Sequence, residues 1–249
     1  MLAAMKAMIF AAGVGSRLGQ FTQNTPKCLM SLSSAAGTDT ILAHVISRLK
    51  AVGVDEIVIN LHHFPEQITS YLAQNRNFGL TVHLSHEPVL LNTGGGLKKV
   101  RDIFMGERAF LVHNADIYCT HDLSTIIEAH KTTDAVATLG IMQRASRRGL
   151  YIDRTQHLTG WTEEQVPAPP EGEIYAFSGI SVCSDQIFLH MDSRDTFSII
   201  ESFLTAARAT GRVFGSLIPS SGWVDIGTPE RLLALQKQLA GNATQAPTK

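Results

Sequence analysis

A glycine-rich loop carrying one arginine follows a short apolar segment near the start of the chain. The segment at 6–11 is predicted to be a strand, and the loop after it contains Gly13, Gly15 and Arg17. Glycines let backbone N–H groups approach an anionic ligand closely, and a guanidinium group offers a fork of donors that suits phosphate. Leu18 stands where a Rossmann dinucleotide fingerprint needs its third glycine, and no Gly-Lys-Ser/Thr of a P-loop follows. The loop therefore predicts anion binding, with a tight strand-to-helix turn as the alternative.

A second cation, Lys27, follows Thr25 and Pro26 about ten residues beyond Arg17. A single lysine after a proline is most often a solvated turn residue. Together, however, Arg17 and Lys27 place two positive charges on one long loop beyond the carboxyl end of a strand. Ligands of open α/β sheets bind at that position, so the pair favours a site for a polyanion.

Two aspartates, Asp116 and Asp225, each stand beside a short apolar segment. Asp116 follows the apolar run at 109–113, a predicted strand, and Asp225 precedes a predicted helix that starts near 229. Either residue alone is most simply a turn acid. Together, two carboxylates with apolar flanks need a cation, because unpaired burial of a charge is costly. Magnesium commonly binds one or two carboxylates together with substrate phosphates and water, so we predict that the two aspartates share one Mg²⁺ site.

The elements that must position these residues alternate between strands and helices over about the first 115 residues. Apolar periodicity and capping signals predict strands at 6–11, 56–60, 80–85 and 109–113, and helices at 40–50, 65–74 and 96–104. This order implies a parallel sheet with right-handed crossovers.

The second half of the chain is less regular. It contains predicted helices at 123–130, 198–210 and from 229, strands at 135–142, 176–182 and 213–217, an antiparallel hairpin at 150–162 and a proline-rich loop at 166–172. No internal repeat or linker interrupts it. We therefore predict one domain over 1–240, followed by a flexible tail over 241–249.

Composition excludes several classes of protein. The chain has 249 residues, of which 44% are hydrophobic and 17% charged, so it has enough apolar side chain for a core and is not a disordered chain. The formal net charge of −1 does not favour a general nucleic-acid or membrane surface. Three distant cysteines without a CxxC pair indicate reduced thiols. With no signal peptide and no apolar run of ~18 residues, we expect a cytoplasmic protein. We expect it to be a monomer or homodimer.

Five motifs in order resemble those of the sugar-1-phosphate nucleotidylyltransferases. The glycine loop with Arg17 and the later Pro-Lys resembles the family signature. The others are Leu90–Gly96 (LLNTGGG), Asn114–Asp116 (NAD), Phe177–Ile180 (FSGI) and Trp223–Glu230 (WVDIGTPE). The short length, the triple glycine and Leu61-His62-His63 look most like the bacterial N-acetylmuramate-1-phosphate uridylyltransferase branch.

The resemblance implies a fold and a reaction. The fold would be α/β, a single Rossmann-like three-layer domain with a mostly parallel central sheet and an antiparallel sugar-binding hairpin region. The reaction would convert a nucleoside triphosphate and a sugar 1-phosphate into a nucleotide-sugar and pyrophosphate. We expect UTP to be preferred, with GTP as the runner-up.

The resemblance also assigns roles to residues. It implies that Arg17 and Lys27 are catalytic cations on the phosphates and that Asp116 and Asp225 bind Mg²⁺. The remaining substrate-binding residues would be Ala11, Ala12, Gly13 and Gly15 around the triphosphate, Thr93, Gly94 and Gly95 along the nucleoside, and Asn114, Glu173 and Gly179 on the sugar side.

One family feature is missing from the sequence. Many members carry a Glu-Lys-Pro whose lysine holds the sugar phosphate, and no such lysine occurs at 160–165. The charge run of Arg144, Arg147 and Arg148 is most simply a solvated edge, with a role at the sugar phosphate as the less favoured alternative. Cys28 is interpreted as a packing residue, and His62-His63 as a pair without metal-ligand geometry.

Two other functional classes remain open. A catalytically silent nucleotide-sugar sensor would keep the glycine loop but lose a metal aspartate, and both aspartates are present. A dinucleotide-dependent oxidoreductase is disfavoured by Leu18 and by the second strand, which ends in Asn60 rather than an acid.

Overall fold

A mixed β-sheet with helices on both faces forms the frame of the protein in the computed structural model. The structure describes residues 5–32, 40–146, 148–164 and 172–244. The strands are β1 (Met5–Phe10), β2 (Val54–Leu61), β3 (Thr81–His86), β4 (Phe110–Asn114), β5 (Ile117–Cys119), β6 (Ala137–Met142), β7 (Gly149–Ile152), β8 (Leu158–Trp161), β9 (Glu173–Cys183), β10 (Val213–Leu217) and β11 (Trp223–Asp225). The α-helices are α1 (Ile41–Ala51), α2 (Pro65–Gln74), α3 (Asn92–Lys99), α4 (Arg101–Phe104), α5 (Ser124–Thr132), α6 (Ile199–Thr210) and α7 (Pro229–Thr244).

The sheet brings the carboxyl ends of most strands to one edge. Within the described residues, nine strands form this sheet, whose main path has the order β10-β6-β9-β4-β1-β2-β3. β1 pairs in parallel with β2 and β4, β2 with β3, and β6 with β10. β9 runs antiparallel to both β4 and β6, so β4 and β6 point in the same direction. All the parallel strands therefore end at one edge, where ligands of open α/β sheets bind.

Antiparallel pairs extend this edge. β7 and β8 form a hairpin that pairs with the first half of β9. Because Ile180 in β9 pairs with His113 near the end of β4, the earlier residues of β9 reach beyond the edge of the parallel strands. β5 and β11 pair with each other next to this edge. The predicted parallel first half and the predicted hairpin are both confirmed.

Two apolar cores lie on opposite faces of the sheet. Alternation along β1 points Ile9 into the core under α1, α2 and α5, and Met8 into the core under α3, α4 and α6. The helix–sheet–helix arrangement confirms the predicted three-layer α/β fold. No helix in the described part of the chain has both the length and the apolar character needed to cross a membrane.

The bounds predicted for two helices are wrong. The predicted helix at 96–104 instead begins at Asn92 and is broken at Val100, which gives α3 and α4. Three consecutive glycines disfavour a helix by propensity alone, but tertiary contacts described below stabilise this one. α7 continues to Thr244 rather than ending at 240, because a single glycine such as Gly241 weakens a helix without ending it. Residues 245–249, and most of the loop predicted at 166–172, lie outside the described residues.

His113 makes the stability of the fold depend on pH. It is 1% exposed in β4, and burial lowers the pKa of its imidazole from 6.5 to about 4. The unfolded chain therefore binds a proton between these two pH values while the folded protein does not. We expect the free energy of unfolding to fall by up to about 3 kcal/mol from this group as the pH drops from 6.5 to 4.

Urea denaturation at pH 7.5, 6 and 5 measures this effect. His113→Asn keeps a donor for the Asn114 carbonyl but does not titrate, so its loss of stability on acidification should be smaller than that of the parent protein. The matched control is His86→Asn at an exposed position. Equal pH slopes for all three proteins would contradict the assignment.

Candidate active site

Lys27 lies between the two aspartates that sequence analysis singled out. Its Nζ atom contacts Asp116 Oδ2 and lies 3.8 Å from Asp225 Oδ1. Antiparallel pairing of β5 with β11 brings the aspartates together, since Asp225 is registered with Ile117 and the Ile226 N–H donates to the Asp116 carbonyl. The side chain of Lys27 is only 11% exposed. We call these three side chains the Lys27 cluster.

The protein itself supplies the positive charge that balances the two carboxylates. Besides Lys27, Arg231 Nη1 lies 3.0 Å from Asp225 Oδ2, and the Gly227 N–H donates to Asp225 Oδ1 over 2.7 Å. Each carboxylate is therefore already paired within the protein, and the shared Mg²⁺ site stays a prediction. The described residues contain no group of three or more His, Cys, Asp or Glu side chains arranged for a metal. Any metal here would need further ligands from substrate and water.

A cleft of about 170 Å³ opens beside the Lys27 cluster, where β1 and β4 end. It brings together residues from the glycine loop, the Pro-Lys turn, the LLNTGGG segment and the NAD motif. Its lining consists of Phe10, Ala11, Gly13, Lys27, Cys28, Thr93, Asn114, Ala115 and Asp116. We call it the central cleft.

The glycine loop presents one open position to this cleft. A Cβ atom at Gly13 would have no atom within 4 Å. Gly15 instead has φ 70°, and a Cβ there would lie 2.9 Å from Thr22 Cγ2, so this glycine serves the turn itself. The exposed Arg17 lies beside Gly227, where an added Cβ would be 2.8 Å from Arg17 Nη2. The loop thus brings Arg17 to the Asp225 side of the Lys27 cluster. Ala12, which directly precedes Gly13, is buried.

A buried polar brace, which sequence analysis missed, joins the glycine loop to α3. The Ala11 N–H donates to Asn60 Oδ1, and Asn60 Nδ2 donates to Glu87 Oε1, each over 2.8 Å. Glu87 Oε2 accepts from the Leu91 N–H at the start of α3. Glu87 is fully buried and Asn60 is 3% exposed, so the two bonds of Asn60 are shielded from water, while the bond from the Leu91 N–H is partly buried. The sequence signal that could have revealed this brace is Asn60, a polar residue that directly follows three apolar residues in the segment EIVIN.

Two of the three residues predicted to line the nucleoside pack against the protein instead. The N–H groups of Gly94 and Gly95 both donate to the Phe197 carbonyl. A Cβ at Gly95 would lie 1.9 Å from the Asp195 carbonyl oxygen, so close packing against this segment requires glycine. Only Thr93 lines the central cleft, and its hydroxyl accepts from the Ile199 N–H.

The residues predicted for the sugar side are separated. Gly179, with φ 80°, lies against Asn114, since a Cβ there would be 2.8 Å from Asn114 Nδ2. Glu173 is exposed at the start of β9, six residues away along the strand, and accepts a hydrogen bond from the Tyr175 hydroxyl. Asn114 and Gly179 thus lie together at the central cleft, whereas Glu173 lies outside it on the hairpin side.

Burial and contacts within the protein account for the neighbouring thiol and imidazole groups. Burial raises the pKa of the Cys28 thiol to about 12, so it stays protonated beside Lys27, as expected of a packing residue. His62 Nδ1 donates to the Glu87 carbonyl, and His63 Nε2 lies 3.4 Å from the Thr22 carbonyl oxygen. These two hydrogen-bond contacts of His62 and His63 orient the loops that they join.

Two glycines of the site should respond differently to an added methyl group. Gly95→Ala forces a steric clash with the Asp195 backbone and should lower the free energy of unfolding by about 1–3 kcal/mol. Gly13→Ala meets open space and should change it by no more than about 0.5 kcal/mol. Urea denaturation of the two variants and the parent protein measures the difference, and equal stability of both variants would contradict the packing described here.

Comparison with known proteins agrees with this arrangement. Residues 6–242 match the family model for nucleotidyl transferase. The chain is 30% identical to N-acetylmuramate alpha-1-phosphate uridylyltransferase of Caulobacter vibrioides, over 94% of this chain and 96% of that protein. It is 25% identical to mannose-1-phosphate guanylyltransferase catalytic subunit beta of Dictyostelium discoideum, over 92% of this chain and 63% of that protein. The chain thus spans less than two thirds of the length of this second relative.

Solved structures show the same fold. UDP-glucose pyrophosphorylase complexed with UDP-glucose aligns with a TM-score of 0.76 at 14% identity, covering 96% of this chain and 99% of that one. At 14% sequence identity, the similarity between the two proteins shows a shared fold alone. The family model, in contrast, spans almost the whole chain, including the glycine loop, Lys27 and both aspartates. The protein belongs to the nucleotidyl transferase family.

Proposed function

We propose that this protein transfers a nucleotidyl group, preferably from UTP, to a sugar 1-phosphate and releases pyrophosphate. The observation that carries the proposal is the Lys27 cluster, in which one ammonium and two carboxylates meet beside the glycine loop. The Caulobacter relative, named as a uridylyltransferase acting on N-acetylmuramate 1-phosphate, matches over nearly its whole length and supports both the reaction type and the base.

The reaction asks the protein to align and neutralise two polyanions. A phosphate oxygen of the sugar 1-phosphate attacks the α-phosphorus, and the bond from that phosphorus to the pyrophosphate oxygen breaks. The attacking phosphate is largely a dianion at neutral pH, because its second pKa is about 6, so no general base is needed. Catalysis then rests on holding the reacting atoms in line and on stabilising the charge of the transition state.

The cations of the site suit this task. Lys27 would contact the α-phosphate and the incoming sugar phosphate from its buried position. Open space at Gly13 lets a phosphate approach the backbone of the glycine loop, and Arg17 would bind the terminal phosphates with its fork of donors. The pyrophosphate leaves from this side, so the same donors would stabilise it as charge moves onto it.

Asp116 and Asp225 fit a magnesium ion. Both carboxylates converge on one ammonium group, and this closeness of their oxygen atoms supports a shared cation. Hard oxygen ligands suit Mg²⁺, which takes one or two carboxylates and completes its shell with phosphate and water. When bound, the ion would supply neutralisation of phosphoryl charge.

GTP is the second candidate base. The match to the mannose-1-phosphate guanylyltransferase of Dictyostelium favours it, although this chain spans only 63% of that relative. Only Thr93 of the predicted nucleoside residues lines the central cleft, which gives no contact that selects a base. The proposal of UTP therefore depends on the relative that the chain matches over 96% of its length.

A pyrophosphate-release assay that crosses five nucleoside triphosphates with a set of sugar 1-phosphates tests the function. We expect turnover that requires both substrates, with the highest kcat/KM for UTP. A clear optimum for GTP, or equal use of all triphosphates, would overturn the base preference. Tight binding of a nucleotide-sugar without turnover of any pair would instead indicate a non-catalytic sensor.

Asp116→Asn and Asp225→Asn should each lower kcat by at least about 100-fold while leaving the melting temperature within a few degrees. Each change removes one carboxylate from the shared cation site without changing the size of the side chain. Asp122→Asn, at an exposed helix start outside the cleft, is the matched control. Magnesium titration of each variant measures the effect, and an unchanged kcat and magnesium dependence in either site variant would refute the shared site.

A further inference from the structure

We propose that Arg144 binds an oxyanion of the acceptor sugar phosphate; this assignment rests on the proposed function and names a further specificity residue. Arg144 follows the end of β6 by two residues, so it stands at the same sheet edge as the Lys27 cluster. Its guanidinium carbon lies 4.7 Å from the centre of the Trp223 ring. An arginine stacked on an indole keeps its planar group in one orientation.

Among the described residues, no anionic group pairs with the guanidinium of Arg144. Its Nε atom is buried and has no hydrogen-bond partner, and no carboxylate in the described ranges lies within 4 Å of it. Six other arginines each have a carboxylate within 4 Å, namely Arg101, Arg148, Arg194, Arg208, Arg212 and Arg231. A buried donor without a partner is costly, so the missing partner is expected to come from a ligand.

Trp223 places this cation on the acceptor side of the site. Trp223 and Asp225 are two residues apart in β11 and therefore share one face, with Cα atoms about 6.6 Å apart. The Trp223 indole N–H donates to the Ser178 carbonyl over 2.9 Å. The next residue, Gly179, lies against Asn114 at the central cleft. Arg144 is thus connected to the β9 side of the cleft, across from the glycine loop.

The guanidinium group of Arg144 determines the chemistry of the ligand that it can bind. A guanidinium binds phosphate or carboxylate through two parallel N–H bonds. On the acceptor this oxyanion has two sources, the 1-phosphate itself or a carboxylate carried by the sugar ring. Lys27 would contact the phosphates from the glycine-loop side, and Arg144 would add a second positive charge to the acceptor from the opposite side. A substrate oxyanion would satisfy the buried Nε atom.

Arg144→Met is the informative variant, because it keeps an unbranched side chain over the indole while removing charge and donors. Arg144→Lys keeps the charge but loses the fork. Arg148→Gln, at an exposed position paired with Glu163, is the matched control. The acceptors are glucose 1-phosphate, glucuronate 1-phosphate, N-acetylglucosamine 1-phosphate and N-acetylmuramate 1-phosphate, of which the second and fourth carry a carboxylate. For each protein we would measure kcat, KM for the acceptor, KM for the triphosphate and acceptor affinity by calorimetry.

We expect Arg144→Met to raise the acceptor KM and Kd by about 10- to 100-fold, with the triphosphate KM within twofold of the parent value. Arg144→Lys should recover only part of the loss. An equal loss for all acceptors identifies the 1-phosphate as the source, and a loss confined to glucuronate and N-acetylmuramate identifies the ring carboxylate.

Two results would overturn the inference. The first is that Arg144→Met binds the acceptor as well as the control Arg148→Gln does. The second is an equal rise of the acceptor KM and the triphosphate KM in Arg144→Met, which would occur if Arg144 only supported Trp223 structurally. If the parent protein turns over no pair of substrates, the proposed function fails. Calorimetry still decides the inference in that case, because lost acceptor binding in Arg144→Met upholds it and unchanged binding refutes it.

Discussion

The buried charge of Lys27 is the constraint on which the site depends. An ammonium that is 11% exposed must be paired, and the pairing carboxylates come from the turn between β4 and β5 and from β11. Satisfying it requires that the loop after β1, the end of β4 and the approach to α7 meet at one point. A small apolar core formed by Leu18, Ile226 and Leu232, among others, joins the loop after β1 to α7 and to the residues that precede it. Charge pairing and apolar packing therefore specify the same geometry.

A second constraint links the glycine loop to α3. The brace from Ala11 through Asn60 and Glu87 to Leu91 uses each of its buried polar groups, and a fully satisfied polar network in a low-dielectric interior holds one arrangement. On the opposite side, the Phe197 carbonyl binds the start of α3. The helix that carries Thr93 is consequently held from two directions, which keeps this residue at the cleft.

The two sides of the site are built from different kinds of structure. Parallel strands and the loops after them supply Gly13, Lys27 and Thr93, whereas antiparallel β9 and β11 supply Gly179 and Trp223. β9 extends past the edge of the parallel strands, so the hairpin beside it can present residues such as Glu173 away from the central cleft. The hairpin side therefore lies outside the cleft that the loops after the parallel strands form.

Local sequence signals determined the alternation of strands and helices, most element bounds and the identity of the charged residues. They could do so because apolar periodicity, capping and glycine turns act within a few neighbouring residues. The same signals misjudged α3, since the contacts that stabilise its glycines come from a segment 100 residues away. Only the tertiary structure decided that Lys27 balances both aspartates, that Glu87 braces the glycine loop and that Arg144 stacks on Trp223. Each of these is a contact between side chains distant along the chain, and distance along the chain carries no information about which buried groups will meet.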